Sequence, residues 1–255
     1  MKNLHIFLNS KGGVGKSFCA INLTQFMREK VDNLMVFDTD PSNQTLFNFS
    51  DLNATFIDVK SEKNVEIGNF DDLINYINDK FEHLIIDSGA SNAIPFFHYL
   101  VDEGGEDVLN QMGYQIFIHV PVVGGDAFKD CKGNLKMVFS QLKHAKIIIW
   151  YNNFPKPVFA KSEKSAMMAE LTNEIIGEEG SSYVGYVELP YFEPTTTGKM
   201  LKQIMEERKT YNQLLDGSVQ TTLFNQPLRV LEKVRIKKIK DDIFNAISNI
   251  EDLIF

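Results

Sequence analysis

The chain has 255 residues, 44% of them hydrophobic and 24% charged, with 34 acidic against 26 basic side chains and a formal net charge of −8. This is the composition of a globular protein with room for one large core; no apolar run has the length of a membrane span, and the body as a whole is too acidic to be a general nucleic-acid binder. Two lone cysteines, Cys19 and Cys131, lack metal-ligand spacing and suit a reducing cytoplasm, and the apolar residues near the start are needed for a first strand, so no leader is expected there.

The first element, Leu4 to Leu8, is an apolar run followed by Ser10-Lys11-Gly12-Gly13-Val14-Gly15-Lys16-Ser17 and a helical pattern from Ser17 to Lys30. Strand, glycine-rich loop and helix in that order make a phosphate cradle. Glycines let backbone N–H groups turn inward, and the helix N-terminus adds partial positive charge. In that geometry Lys16 reaches β- and γ-phosphates, the Ser17 hydroxyl ligates Mg²⁺, and Gly12, Gly13, Val14, Gly15 and Phe18 complete the nucleotide-binding loop.

The next strand, Leu34 to Phe37, ends in Asp38-Thr39-Asp40-Pro41. Two carboxylates at that spacing can both face a phosphate site; they also serve as helix caps or Asx-turns, and the upstream loop favours the first reading. A short run, Thr55 to Val59, reads as an edge strand, and Phe70 to Lys80 as a helix. Leu84 to Ile86 then leads into Asp87-Ser88-Gly89, the arrangement in which a carboxylate holds Mg²⁺ through water and a glycine frees the following segment. Helix Ala93–Val101, strand Gln115–Val120, helix Asp126–Lys143 with Asp126 as its cap, strand Ile147–Tyr151, helix Lys161–Ile176 and strand Tyr183–Leu189 follow. Gly104-Gly105 reads as a turn, and His98 and His119, in apolar settings, as packing or hydrogen-bonding residues. Continuous apolar strands alternating with helices predict an α/β fold, a doubly wound and mostly parallel sheet flanked by helices, over residues 1–190.

Residues 191–255 read as a mainly helical extension of the same domain, with helices at Thr197–Arg208, Tyr211–Leu215 and from Leu228 onward. Ile236, Ile239, Ile243, Ile247, Ile250 and Ile254 recur at steps of three and four, one apolar stripe. Arg229, Lys233, Lys237 and Lys240 form a basic stripe beside it. A docked helix with a solvated basic face and non-specific DNA contact are both open readings; Asp241, Asp242, Glu251 and Asp252 disfavour a membrane.

The Lys-Gly-Gly-x-Gly-Lys-Ser loop, with Ser10 in place of the usual first glycine, resembles the deviant Walker A motif of the ParA/MinD ATPases. That resemblance implies ATP with Mg²⁺, a homodimer formed in the ATP state, and a trans role for Lys11 on the partner's nucleotide. It further implies that Asp38 and Asp87 support the metal, that Asp40 positions or activates the attacking water, and that Asn152 or Asn153, with Pro190, recognises adenine. The stretches around Asn9-Ser10, Ile86 to Ser91, Pro95 to Leu100 and Ile118 to Ala127 are similar to TraL-type proteins, which implies a protein partner in a plasmid partition or conjugal DNA-transfer complex. The competing function is a metabolic, ligase-type ATP-dependent enzyme on the same fold; no Cys-x-x-Cys and no tyrosine-rich tail support a cluster carrier or a tyrosine kinase.

Overall fold

A computed structural model describes residues 2–59, 69–77, 81–154, 156–160, 168, 169, 171, 173, 182–216, 222, 223 and 226–255. Seven strands form one sheet: β1 (Lys2–Phe7), β2 (Leu34–Asp38), β3 (Thr55–Phe56), β4 (His83–Asp87), β5 (Tyr114–Val122), β6 (Lys146–Tyr151) and β7 (Tyr183–Glu188). Their order is β3-β2-β4-β1-β5-β6-β7 and every pairing is parallel. β1 therefore lies where the strand order reverses, and the crevice beyond its carboxyl end is where such sheets bind ligands. Register makes this specific: Phe7 and Asp38 both pair with Asp87, so the glycine loop and both acidic strand ends leave the sheet side by side.

The helices α1 (Lys16–Arg28), α2 (Asn69–Tyr76), α3 (Ala93–Asp102), α4 (Gly105–Gln111) and α5 (Phe128–Gln141) cover the sheet, together with α6 (Thr196–Glu206), α7 (Tyr211–Leu215), α8 (Val230–Ser248) and α9 (Glu251–Ile254). Alternation along the buried strands divides the core. Leu4 and Ile6 join a cluster with α2 to α5, whereas Phe7, Ile85 and Trp150 join one with α1, α6, α7 and α8. All six isoleucines of the C-terminal stripe are buried in that second cluster. The 3.6-residue period thus has a packing cause, and the extension seals one face of the sheet. Lys240 is taken out of the basic stripe, since its ammonium binds Glu29 Oε1 at 2.5 Å and Asn212 Oδ1 at 3.1 Å.

Several sequence expectations shift in place. β5 runs on through Pro121, which is tolerated because β1 makes its last pairing at Phe7 with His119. Gly104, at φ 78°, turns the chain into α4, a seven-residue helix too short to show a period. Asp126 is not a cap: it lies in a 3₁₀ turn, Gly125–Ala127, and α5 starts with Ala127 as its uncapped N-cap residue. β3 keeps only two residues of the edge strand. His98 takes the hydrogen-bonding alternative, pairing with Asp102 at 2.7 Å, but at the surface and not in an apolar setting. The end of the second expected helix and most of Lys161–Ile176 lie outside the described residues. A two-residue hairpin, Thr222–Leu223 with Gln226–Pro227, was not expected.

A hydrogen-bonded line crosses the second core cluster. Trp150 Nε1–H donates to His119 Nδ1 at 2.8 Å, so His119 carries its proton on Nε2 and donates to His5 Nδ1 at 2.9 Å. Both rings are neutral: burial pushes His5 down to about 3 and His119 well below the ordinary histidine value. The sign follows. Below about pH 6.5 the unfolded chain takes up protons that these two rings refuse, so each removes about 1.4 kcal/mol of stability per pH unit as pH falls. We expect that, of the five histidines, His5 and His119 show no imidazole titration down to about pH 5 by NMR; a midpoint above that for either contradicts the assignment.

Candidate functional site

The glycine loop is pinned at its start. Asn9 Nδ2 donates to the Pro121 carbonyl at 2.9 Å, Asn9 Oδ1 accepts from Lys11 N at 2.9 Å, and Ser10 donates through both N and Oγ to Asn134 Oδ1. Gly15 then enters α1 at φ 87°, a left-handed conformation that favours glycine. A Cβ on Gly15 would also collide with the Asn152 amide. α1 begins with no side-chain cap and no acidic residue in its first turn, so its leading N–H groups are free to bind an anion.

Lys16 is buried at the foot of this helix; burial lowers its pKa, while Asp87 and Asp40 oppose the shift. Asp87 is fully buried, and neither of its carboxylate oxygens has a hydrogen-bond partner of ordinary geometry. Burial, and then the charge of Asp38, push it up to about 8; the Ser17 hydroxyl and Lys16 offset this only in part. An orphaned buried carboxylate next to a hydroxyl and an ammonium is poised for a cation. Among the described residues no group of three or more His, Cys, Asp or Glu forms a metal cage. The donors present instead suit Mg²⁺ shared between one hydroxyl, water and phosphate oxygens.

Asp38 is committed to the backbone. Its Oδ1 accepts from Asp40 N at 2.9 Å and its Oδ2 from Phe47 N at 3.0 Å, so it braces the loop between them. Burial raises its pKa. Asp40 accepts from Ser42 N at 2.8 Å and Asn43 Nδ2 at 3.2 Å, and its Cγ would be 2.7 Å from a Cβ on Gly89. Gly89 therefore allows the close approach of Asp40. Two residues the sequence did not single out tie these segments together: Asn92 Nδ2 donates to the Thr39 carbonyl at 2.5 Å, and Thr39 N donates to the Asp87 carbonyl at 3.0 Å.

Lys11 stands at the surface, and its ammonium pairs with Asp130 of α5 at 2.7 Å. That contact raises the Lys11 pKa and lowers that of Asp130.

The base-recognition candidates separate into two clefts. Asn152 donates to the Val14 carbonyl at 3.0 Å and accepts from Phe154 N at 3.1 Å. With Gly13, Gly15, Phe18, Phe154 and Met205 it lines a cavity of about 270 Å³ that opens from the glycine loop. Asn153 and Pro190 line a neighbouring cavity of about 240 Å³ with Tyr151, Val158 and Phe159. Asn153 is internally satisfied by the Leu189 carbonyl at 2.8 Å and Val158 N at 2.7 Å. Of these two, the first adjoins the glycine loop, with Asn152 and Phe18 in its lining, while Pro190 lines the second. Phe154 and Met205 were missed because they are contributed by a loop and by α6, both distant in sequence from the glycines.

The family model described as the CobQ/CobB/MinD/ParA nucleotide binding domain matches residues 5–222. Two Escherichia coli proteins named TraL are similar. One is 27% identical over 234 residues, covering 91% of this chain and 95% of its own; the other is 27% identical over 250 residues, covering 98% of each. Among solved structures, the MinD cell division protein of Aquifex aeolicus superposes with a TM-score of 0.51 at 11% identity, covering 98% of this chain and 97% of that one.

Proposed function

This chain belongs to the CobQ/CobB/MinD/ParA nucleotide-binding family and is a P-loop ATPase, and from that premise we propose that it is an ATP-dependent dimerisation switch in conjugal DNA transfer or plasmid partition. The observation that carries the reading is the convergence of an uncapped α1 N-terminus, buried Lys16 and unpartnered Asp87 at one point of the sheet edge. Ser17 and Asp87 would hold Mg²⁺, which when bound neutralises phosphate charge. Lys16 stabilises charge on the transferred phosphoryl group, and the loop N–H groups hold the remaining phosphates. Asp40, held by Ser42 and Asn43, orients the attacking water. Asn152 and Phe18 set the purine in the cleft beside Phe154 and Met205.

Output is a change in shape. Thr39 and Asn92 couple the loop after β2 to the segment after β4, so both respond together when the γ-phosphate is lost. In the free chain Lys11 is neutralised by Asp130; in the ATP state it leaves that carboxylate for the partner subunit's phosphates. The TraL-type resemblance supplies the cargo, a plasmid DNA-processing complex in the cytoplasm. No described helix is long and apolar enough to cross a membrane.

The test is mass in solution by light scattering with Mg-ATP and with Mg-ADP. A dimer that forms with ATP and dissociates with ADP supports the switch. The same mass under both conditions excludes it and favours the metabolic-enzyme reading.

A further inference from the structure

Helix α8 is apolar on two opposite faces. Ile236, Ile239, Ile243 and Ile247 account for the face on the core. At about 100° per residue, Val230, Leu231 and Val234 project to the other side. They are 78%, 68% and 59% exposed, more than any other large hydrophobic side chain described. Scattered exposed aliphatics are ordinary, but three within two turns of one face make a patch. Five cations frame it: Arg229, Lys233, Arg235, Lys237 and Lys238. None of the five has an ion-pair partner among the described residues. Glu232, the one acid of the segment, turns back to accept from Arg229 N at 2.7 Å.

We propose that this face docks an acidic amphipathic helix of a partner protein, its aliphatic side chains covering Val230, Leu231 and Val234 and its carboxylates meeting Lys233, Lys237 and Lys238. Charge complementarity selects the occupant, because five cations without an ion-pair partner among the described residues cluster here on a chain of net charge −8. Duplex DNA would satisfy the cations yet offer hydrophilic phosphates to the aliphatic centre. An anionic bilayer would meet Asp241, which lies on the same outward face two turns after Val234, and the apolar stripe ends before it. A helix with leucines on one side and glutamates around them matches both parts of the patch. None of these residues belongs to the nucleotide site.

The experiment uses the full chain and four probes: a labelled amphipathic Leu/Glu helical peptide, its sequence-shuffled isomer of equal charge, a short DNA duplex and phosphatidylglycerol vesicles. The amphipathic peptide is expected to bind at least about tenfold more tightly than the shuffled one. Leu231→Ser with Val234→Ser, and separately Lys233→Glu with Lys237→Glu, are each expected to weaken it by at least about tenfold, with thermal unfolding and ATP binding unchanged. Equal binding of the two peptides, no peptide binding, or tighter binding of duplex or vesicles that the same substitutions abolish would each overturn the proposal.

Discussion

Asp40→Asn is expected to lower ATP turnover roughly 10²- to 10³-fold while ATP binding persists. Asparagine preserves the shape and the oxygen that accepts from Ser42 N; it removes the charge that draws a proton from water. The carboxylate is nearly buried between the loop after β2 and Gly89, so its position is set by packing on both sides. Loss of charge there changes the chemical step with little change in the ground-state complex. Phosphate release and calorimetric nucleotide binding measured on the same preparation separate the two. Turnover within about fivefold of wild type would remove Asp40 from the mechanism, because a group that positions water does not leave so small a mark.

On the proposed switch, Lys11→Ala is expected to weaken the ATP-dependent dimer without unfolding the monomer. Lys11 is a surface residue that contributes nothing to the core, so circular dichroism and melting are expected to match the wild type. In a two-fold dimer each substitution counts twice. Two charge-assisted contacts to phosphate lost together weaken the dimer by at least about 100-fold. Asp130→Asn moves association the other way, since it removes the carboxylate that competes for Lys11. A Lys11→Ala dimer of wild-type strength would show that the lysine acts within its own subunit.

Much of this site was legible because its parts are local. The glycine loop, the Asp38 and Asp40 pair and Asp87 each lie within a few residues of a strand end, and a parallel sheet brings strand ends to one edge. The isoleucine stripe was legible because its period matches a helix. What escaped depends on long-range contacts. Asn134 and Asp130 meet the loop across more than a hundred residues, and Asn92 meets Thr39 across 53. The adjacent asparagines look alike in sequence, yet Asn152 holds the Val14 carbonyl and Asn153 holds that of Leu189. Asp38 was expected to support the metal, and that two backbone N–H groups hold its carboxylate was not visible in the sequence. Val230, Leu231 and Val234 would pass for core residues in any sequence count, and only the direction each faces separates them from Ile236.

Trp150, the single tryptophan of the chain, gives the protein a built-in optical reporter. Its indole is fully buried, its N–H is fixed on His119, and it stands two residues before Asn152, whose amide holds the glycine loop. All ultraviolet emission above the tyrosine band therefore comes from one group attached through the backbone to the phosphate cradle. A change in that emission on adding nucleotide is the expected readout in unlabelled protein, and stopped-flow traces would carry no contribution from a second fluorophore of that kind.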